Sequence, residues 1–172
     1  PTQRARPADR KRQLIEHASV LFSDRGYPHV SMADIAASAG VTAPSLYRHF
    51  DDKQALLASA VMGGVDDLVA CTERALERGD DSAELIDAVG VLGQKRPRST
   101  SLWRASSYYL TADQNTQVVM RTREVLHRWA EVIRVERPDL SPRSSVQLAW
   151  AMLSISGSLA SRRTGMSPPR AR

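Results

Sequence analysis

The sequence predicts an all-α chain. Apolar residues recur every three or four positions from Leu14 to Leu153, no stretch alternates like a half-buried strand, and Gly26, Pro97, Pro138 and Pro142 fall at the joints. A first helix is expected from Asp9 to Arg25, with Leu14, Ile15, Ala18, Leu21 and Phe22 on one stripe and Gly26 as its stop. Residues 31–53, SMADIAASAGVTAPSLYRHFDDK, then fit two short helices around a glycine turn. Ser31 can cap the first of these by accepting a free backbone N–H, and Asp34 suits its first turn, where a carboxylate complements the helix dipole. Ile35, Ala36 and Ala39 share a face, and Ala36 looks toward the next helix, where a larger side chain would force the pair apart. Gly40 ends the helix because it adopts positive φ without steric cost. Val41 tucks under the turn. Thr42 is a cap candidate for the second helix, and Pro44 suits a first turn, having no N–H to leave unpaired. Leu46 and Phe50, four apart, point inward. Thr42, Ala43, Ser45, Tyr47, Arg48 and His49 remain facing out or at the edge.

Lys53 opens a long helix through Leu56, Leu57, Ala60, Val61, Val65, Leu68, Val69 and Leu76. Gly63-Gly64 interrupts its pattern, and each glycine costs about 1 kcal/mol against Ala, so a bend or junction is expected there. Further helices are expected around Ser82–Gln94, Ser99–Leu110, Asp113–Arg137 and Pro142–Arg163.

Two short helices at a steep angle around a glycine turn form a helix-turn-helix, whose second helix fits the DNA major groove. The exposed set has the right chemistry. Arg48 can fork onto guanine O6 and N7, while hydroxyls, imidazole and helix N-termini suit phosphate oxygens. Ala43 can meet only a thymine methyl or a sugar. Plainer roles stay open: Tyr47 packed on its own domain, His49 as a surface histidine, Arg48 paired with Asp51 or Asp52.

Residues from about Arg10 to Val61 resemble the N-terminal domain of the tetracycline-repressor (TetR) family of bacterial transcriptional regulators. The resemblance is carried by IEHASVLFSDRGY, SMADIAASAGV and above all SLYRHFDDKQALL. It implies a flexible basic arm over 1–9, a DNA-binding domain over 10–52 and a helical effector-binding and dimerisation domain over 53–172. It further implies base reading by Thr42, Ala43, Ser45 and Arg48, with Pro44, in the first turn of their helix, among the DNA-binding residues. Tyr47 and His49 would grip phosphates from opposite flanks, Lys53 would contact another, and Ser31 with the N–H groups after it a further one.

Composition is compatible without being decisive. The 172 residues hold 24 basic and 19 acidic side chains, net +5. The local excess is PTQRARPADRKRQ, which reads either as an arm trailing along DNA or as a solvated tail. One cysteine, Cys71, excludes an internal disulfide framework and fits a reducing compartment. No run approaches the roughly 18 apolar residues that span a membrane, and no leader reads as a secretory signal. A bacterial cytoplasmic location, nucleoid-associated on DNA, is expected. A small helical enzyme is disfavoured. No glycine-rich phosphate loop occurs, and His17, His29, His49 and His127 lack a zinc-helix partner, so no metal, cofactor or catalytic residue is expected.

The C-terminal part is rich in bulky residues, and the resemblance implies a pocket there for an apolar or amphipathic effector. Trp103, Ser106, Tyr109, Met120, Trp129, Trp150, Met152 and Leu153 are the lining candidates, with a core role as the alternative for each. Arg104, Arg121 and Arg123 lie near them in sequence, and one of these facing inward would suit an anionic ligand such as a coenzyme A thioester. A homodimer reading a palindromic operator is expected, since a two-fold protein matches a two-fold site. The family's dimer bundle implies a face of Val146, Ala149, Leu153, Ile155, Gly157 and Ala160. The closing SRRTGMSPPRAR is not expected to form the last helix of such a bundle, so that helix is missing from these residues or the dimer is built differently. The leading function is an effector-released repressor. A DNA-binding architectural protein without effector is the alternative.

Overall fold

The structure is a computed structural model and describes residues 7–79, 81–96, 102 and 108–163. Among the described residues seven α-helices follow one another without a strand. They are α1 (Pro7–Arg25), α2 (Met32–Ser38), α3 (Ala43–Tyr47), α4 (Lys53–Arg78), α5 (Ser82–Lys95), α6 (Ala112–Glu136) and α7 (Pro142–Arg163), with a 3-10 turn at Tyr27–His29. The expected all-α fold is the observed one. Of the expected helix at Ser99–Leu110, only Leu102 and Tyr108–Leu110 are described.

Two expectations about the elements are corrected. Helix α1 starts at Pro7, inside the expected arm. Proline suits a first helical turn, and Asp9 two residues on favours the positive end of the helix dipole. Residues 1–6 of the arm lie outside the described residues. Helix α4 runs unbroken through Gly63-Gly64. Burial of Leu56, Leu57, Ala60, Val61 and Val65 before the glycines or just after, and of Cys71, Thr72 and Ala75 further on, offsets the propensity cost of about 1 kcal/mol per glycine.

Packing forms two cores, and α4 serves both. The first joins Leu14, Ala18, Leu21 and Phe22 of α1, Ile35 and Ala36 of α2, Leu46 of α3 and Phe50 to the first half of α4, together with Leu102 and Val118. The second joins Cys71 and Ala75 of α4 to Leu85 and Val89 of α5, Val125, Trp129 and Ile133 of α6 and Ala149 of α7. Trp129 is fully buried and its indole N–H donates to Thr72 Oγ1 at 3.1 Å, so the ring sits in the core with its polar edge satisfied. By length and composition α4 is the one described helix apolar enough to cross a membrane, with mean hydropathy 1.5 over its best window. Its buried side chains supply both protein cores.

Candidate nucleic-acid interface

The reading helix is held by local chemistry at each end of the turn before it. Ser31 caps α2 in a reciprocal box: Asp34 N–H donates to Ser31 Oγ at 3.1 Å, and Ser31 N–H donates to Asp34 Oδ2 at 2.8 Å. The Ser31 hydroxyl also donates to that carboxylate, and these bonds hold the Asp34 carboxyl below the usual carboxylate range. At the other end Gly40 has φ +64°. Its N–H donates to Ala37 O at 3.1 Å, and Val41 N–H to Ala36 O at 2.9 Å. This paired closure satisfies the carbonyls left over at the end of α2 and redirects the chain into α3. His17 Nδ1 lies 2.9 Å from Ser38 Oγ, bracing α2 on α1, a contact that sequence periodicity does not signal.

Thr42 stands at the N-cap of α3 in extended conformation, but its side chain makes no cap bond, contrary to expectation. Its carbonyl accepts from Ser45 N–H at 2.9 Å and Leu46 N–H at 3.2 Å, leaving the hydroxyl on the exposed side. Leu46 is fully buried and Phe50 nearly so, as their spacing predicts. Thr42, Pro44, Tyr47 and Arg48 are exposed, and Ala43, Ser45 and His49 are half-buried. Arg48 does not pair with Asp52, whose carboxylate instead caps α4 by accepting Ala55 N–H at 2.7 Å. The Lys11 ammonium lies 5.3 Å from the Phe50 ring centre, bringing the start of α1 beside the end of the reading segment.

Lys53 is more engaged than the sequence implies. Its ammonium donates to Val30 O at 2.8 Å and Tyr27 O at 2.9 Å and sits 4.3 Å from the Tyr27 ring centre. Two of its three donors are therefore committed to the backbone just ahead of the α2 cap.

The effector-pocket candidates among the described residues lie in different surroundings. Trp129 is core, Met120 and Trp150 are exposed, Met152 and Leu153 pack half-buried against the second core, and Tyr109 packs against the first. Trp103, Ser106 and Arg104 lie outside the described residues. Arg121 points into an ion pair with Glu124 at 2.6 Å and lies 3.7 Å from Asp66, and Arg123 is exposed. A groove of about 350 Å³ does open between α4 and α6, but charged side chains including Glu73, Arg121 and Arg128 rim it. Apolar bulk is visible in a sequence; which side of a helix faces a void is not.

The dimer-face candidates divide across α7. Ala149 is fully buried in its own chain, and Val146 and Leu153 are half-buried on the same side. Ile155 is exposed, together with Leu148 and Trp150, which were not expected on that face. Ala149, with Met152 and Leu153 beside it, packs in the second core within the chain, while Leu148, Trp150 and Ile155 look out. Gly157 and Ala160 lie on α7, but their side chains are outside the described residues. No group of three or more His, Cys, Asp or Glu side chains converges among the described residues.

Comparison with known proteins agrees with this architecture. Residues 14–60 match the family described as "Bacterial regulatory proteins, tetR family". The HTH-type transcriptional repressor KstR2 of Rhodococcus jostii is 27% identical over 147 residues, covering 83% of this chain and 72% of that protein. The HTH-type transcriptional activator FasR of Mycolicibacterium smegmatis is 40% identical over 83 residues, covering 48% of this chain and 38% of FasR, so the chain spans well under half of that relative. The crystal structure of AibR in complex with isovaleryl coenzyme A and operator DNA shares the fold, with TM-score 0.71, 20% identity and coverage of 95% of this chain and 90% of that one. The helix-turn-helix, the helical second unit and these likenesses agree: residues 14–60 match the tetR family of bacterial regulatory proteins, and the chain is similar to DNA-binding transcriptional regulators.

Proposed function

We propose that the protein is an effector-gated repressor that binds a palindromic operator as a homodimer and leaves it when a small apolar or amphipathic ligand binds. The observation that carries the reading is the exposed row of α3, Thr42, Tyr47 and Arg48, on a helix whose inner side is fixed by Leu46 and Phe50. In this reading Thr42, Ala43, Ser45 and Arg48 meet base edges, and Pro44, in the first turn of their helix, lies against the DNA with them. Tyr47 and His49 hold phosphates on either side, and Ser31 presents the start of α2 to another. Lys53 has one donor left for a phosphate while its other two hold the turn before α2. The reader spans about 10–52 and the effector and dimer unit about 53–172. The protein works in the bacterial cytoplasm, at the nucleoid when bound.

Repression is supported by the name of KstR2, and an acyl-CoA-type thioester as effector by the ligand in the AibR complex. An effector acts only through its different affinity for the DNA-competent and DNA-free conformations. Footprinting on genomic DNA, with and without short-chain acyl-CoA thioesters, tests the reading. A short protected palindrome that opens on addition of thioester is the expected result. Protection that no thioester relieves would leave a DNA binder without this gate.

A further inference from the structure

The first core is closed by a segment that arrives from the second unit. Tyr109, just ahead of α6, stacks on Tyr27 with ring centres 4.6 Å apart, and Tyr27 lies 5.2 Å from Phe22 of α1. The Tyr109 carbonyl accepts a hydrogen bond of 2.7 Å from Gln54 Nε2 at the start of α4. The preceding residue of α4, Lys53, holds its ammonium over the other partner in the stack, Tyr27, and grips Tyr27 O and Val30 O. Val30 directly precedes Ser31, the cap of α2. A continuous set of contacts therefore runs from the entrance of α6, through one aromatic pair and one ammonium, to the backbone that seats the helix-turn-helix. Helix α6 is rigidly begun, by a reciprocal cap between Thr111 and Gln114, and continues into the second core at Val125, Trp129 and Ile133.

We infer that Tyr109 is a positioning residue for DNA reading: by stacking on Tyr27 it fixes the ring against which Lys53 sets the start of α2, and so ties the pose of the reading helix to the position of α6. The inference rests on the DNA-reading function proposed above. It also gives the second unit a specific handle on the first, since a shift of α6 along its axis moves Tyr109 and unloads the Tyr27–Lys53 contact. Burial, with Asp52 and Tyr109 nearby, pushes the Tyr27 hydroxyl above its ordinary range.

The test uses the full chain and a duplex enriched by the wild-type protein from a random pool. Affinity is measured on that duplex and on a scrambled one at the same salt, alongside melting temperature. Tyr109→Ala is expected to lower the ratio of selected to scrambled affinity about 3- to 10-fold, the range an aromatic pair supplies. Scrambled binding should be unchanged, because phosphate contacts do not need the exact pose. Tyr109→Phe, which keeps the ring, should restore the ratio. Tyr27→Leu combined with Tyr109→Ala should lose less than the sum of the two. Gln54→Ala, which removes only the bond to the Tyr109 carbonyl, should move the ratio in the same direction should Tyr109→Ala fold poorly. An unchanged ratio in both Ala variants overturns the inference. So does a parallel loss on both duplexes that follows the lost folded fraction, or a Phe variant that behaves like Ala. A wild-type protein that enriches no duplex removes the DNA-reading assignment itself, and this inference with it.

Discussion

Single residues decide what the exposed row of α3 does. Arg48 is exposed and makes no ion pair among the described residues, so its guanidinium is available for a base. Arg48→Ala is expected to narrow the gap between matched and mismatched duplexes by about 1–3 kcal/mol at one base pair; equal losses on both would remove it from the readout. Tyr47→Ala should instead weaken all sequences alike and leave the salt dependence of binding unchanged, because a neutral phenol releases no counterion. The cap carboxylate carries a pH dependence. Asp34 is held below its ordinary value by the Ser31 bonds, so its contribution to the fold is present above the ordinary carboxylate range and is lost as pH falls through its lowered value. Carboxyl carbon NMR should show Asp34 titrating below the ordinary 3.8, and a Ser31→Ala variant should bring it back up. These identities were legible because caps, a glycine turn and an inward Leu46–Phe50 pair each leave a local mark. Lys53 was read as a phosphate ligand alone because its partners, Tyr27 and Val30, are joined to it by folding and not by spacing.

Elements set where those residues stand. Gly40 turns α2 into α3 at φ +64°, and a Cβ there would meet open space but a backbone that L residues avoid. Gly40→Ala should cost about 1–2 kcal/mol, lowering the melting temperature by about 2–8 °C on the usual scaling for a chain of this size; an unchanged melting curve would show that the turn relaxes freely. In the second core, Thr72→Val keeps the shape and strips the partner from the Trp129 indole, and should cost about 1–3 kcal/mol in urea unfolding. A neutral result would place another acceptor at that edge. Helix α5 is tied back at its C-cap, where Arg96 lies 3.0 Å from Asp67 of α4 and 4.0 Å from Glu16 of α1. Burial nonetheless leaves the Asp67 carboxyl above its ordinary value, the pull of Arg96 being the smaller effect. The existence of the seven described helices was readable from periodicity, caps and turn residues. The continuity of α4 across Gly63-Gly64 was not, because burial on both sides outweighs a local propensity. The inward side of α7 was not readable for a related reason: Ala149 and Leu153 recur at helical spacing just as Leu148 and Ile155 do, and only the packed neighbours decide which stripe turns inward.

For the whole molecule, α4 shares its length between two cores, and Tyr109, just ahead of α6, packs against the first, so contacts link the helix-turn-helix to the second helical unit. That arrangement suits a switch in which a modest displacement changes the pose of a reading helix. A dimer would present two such helices to half-sites about 34–36 Å apart, or a multiple of it. The most direct test of DNA reading is selection from a random duplex pool by the purified full chain at modest ionic strength. Enrichment of one short palindrome, relaxed at one base pair of each half-site by Arg48→Ala, is the result expected. A pool that stays random after repeated rounds would contradict the account at its root.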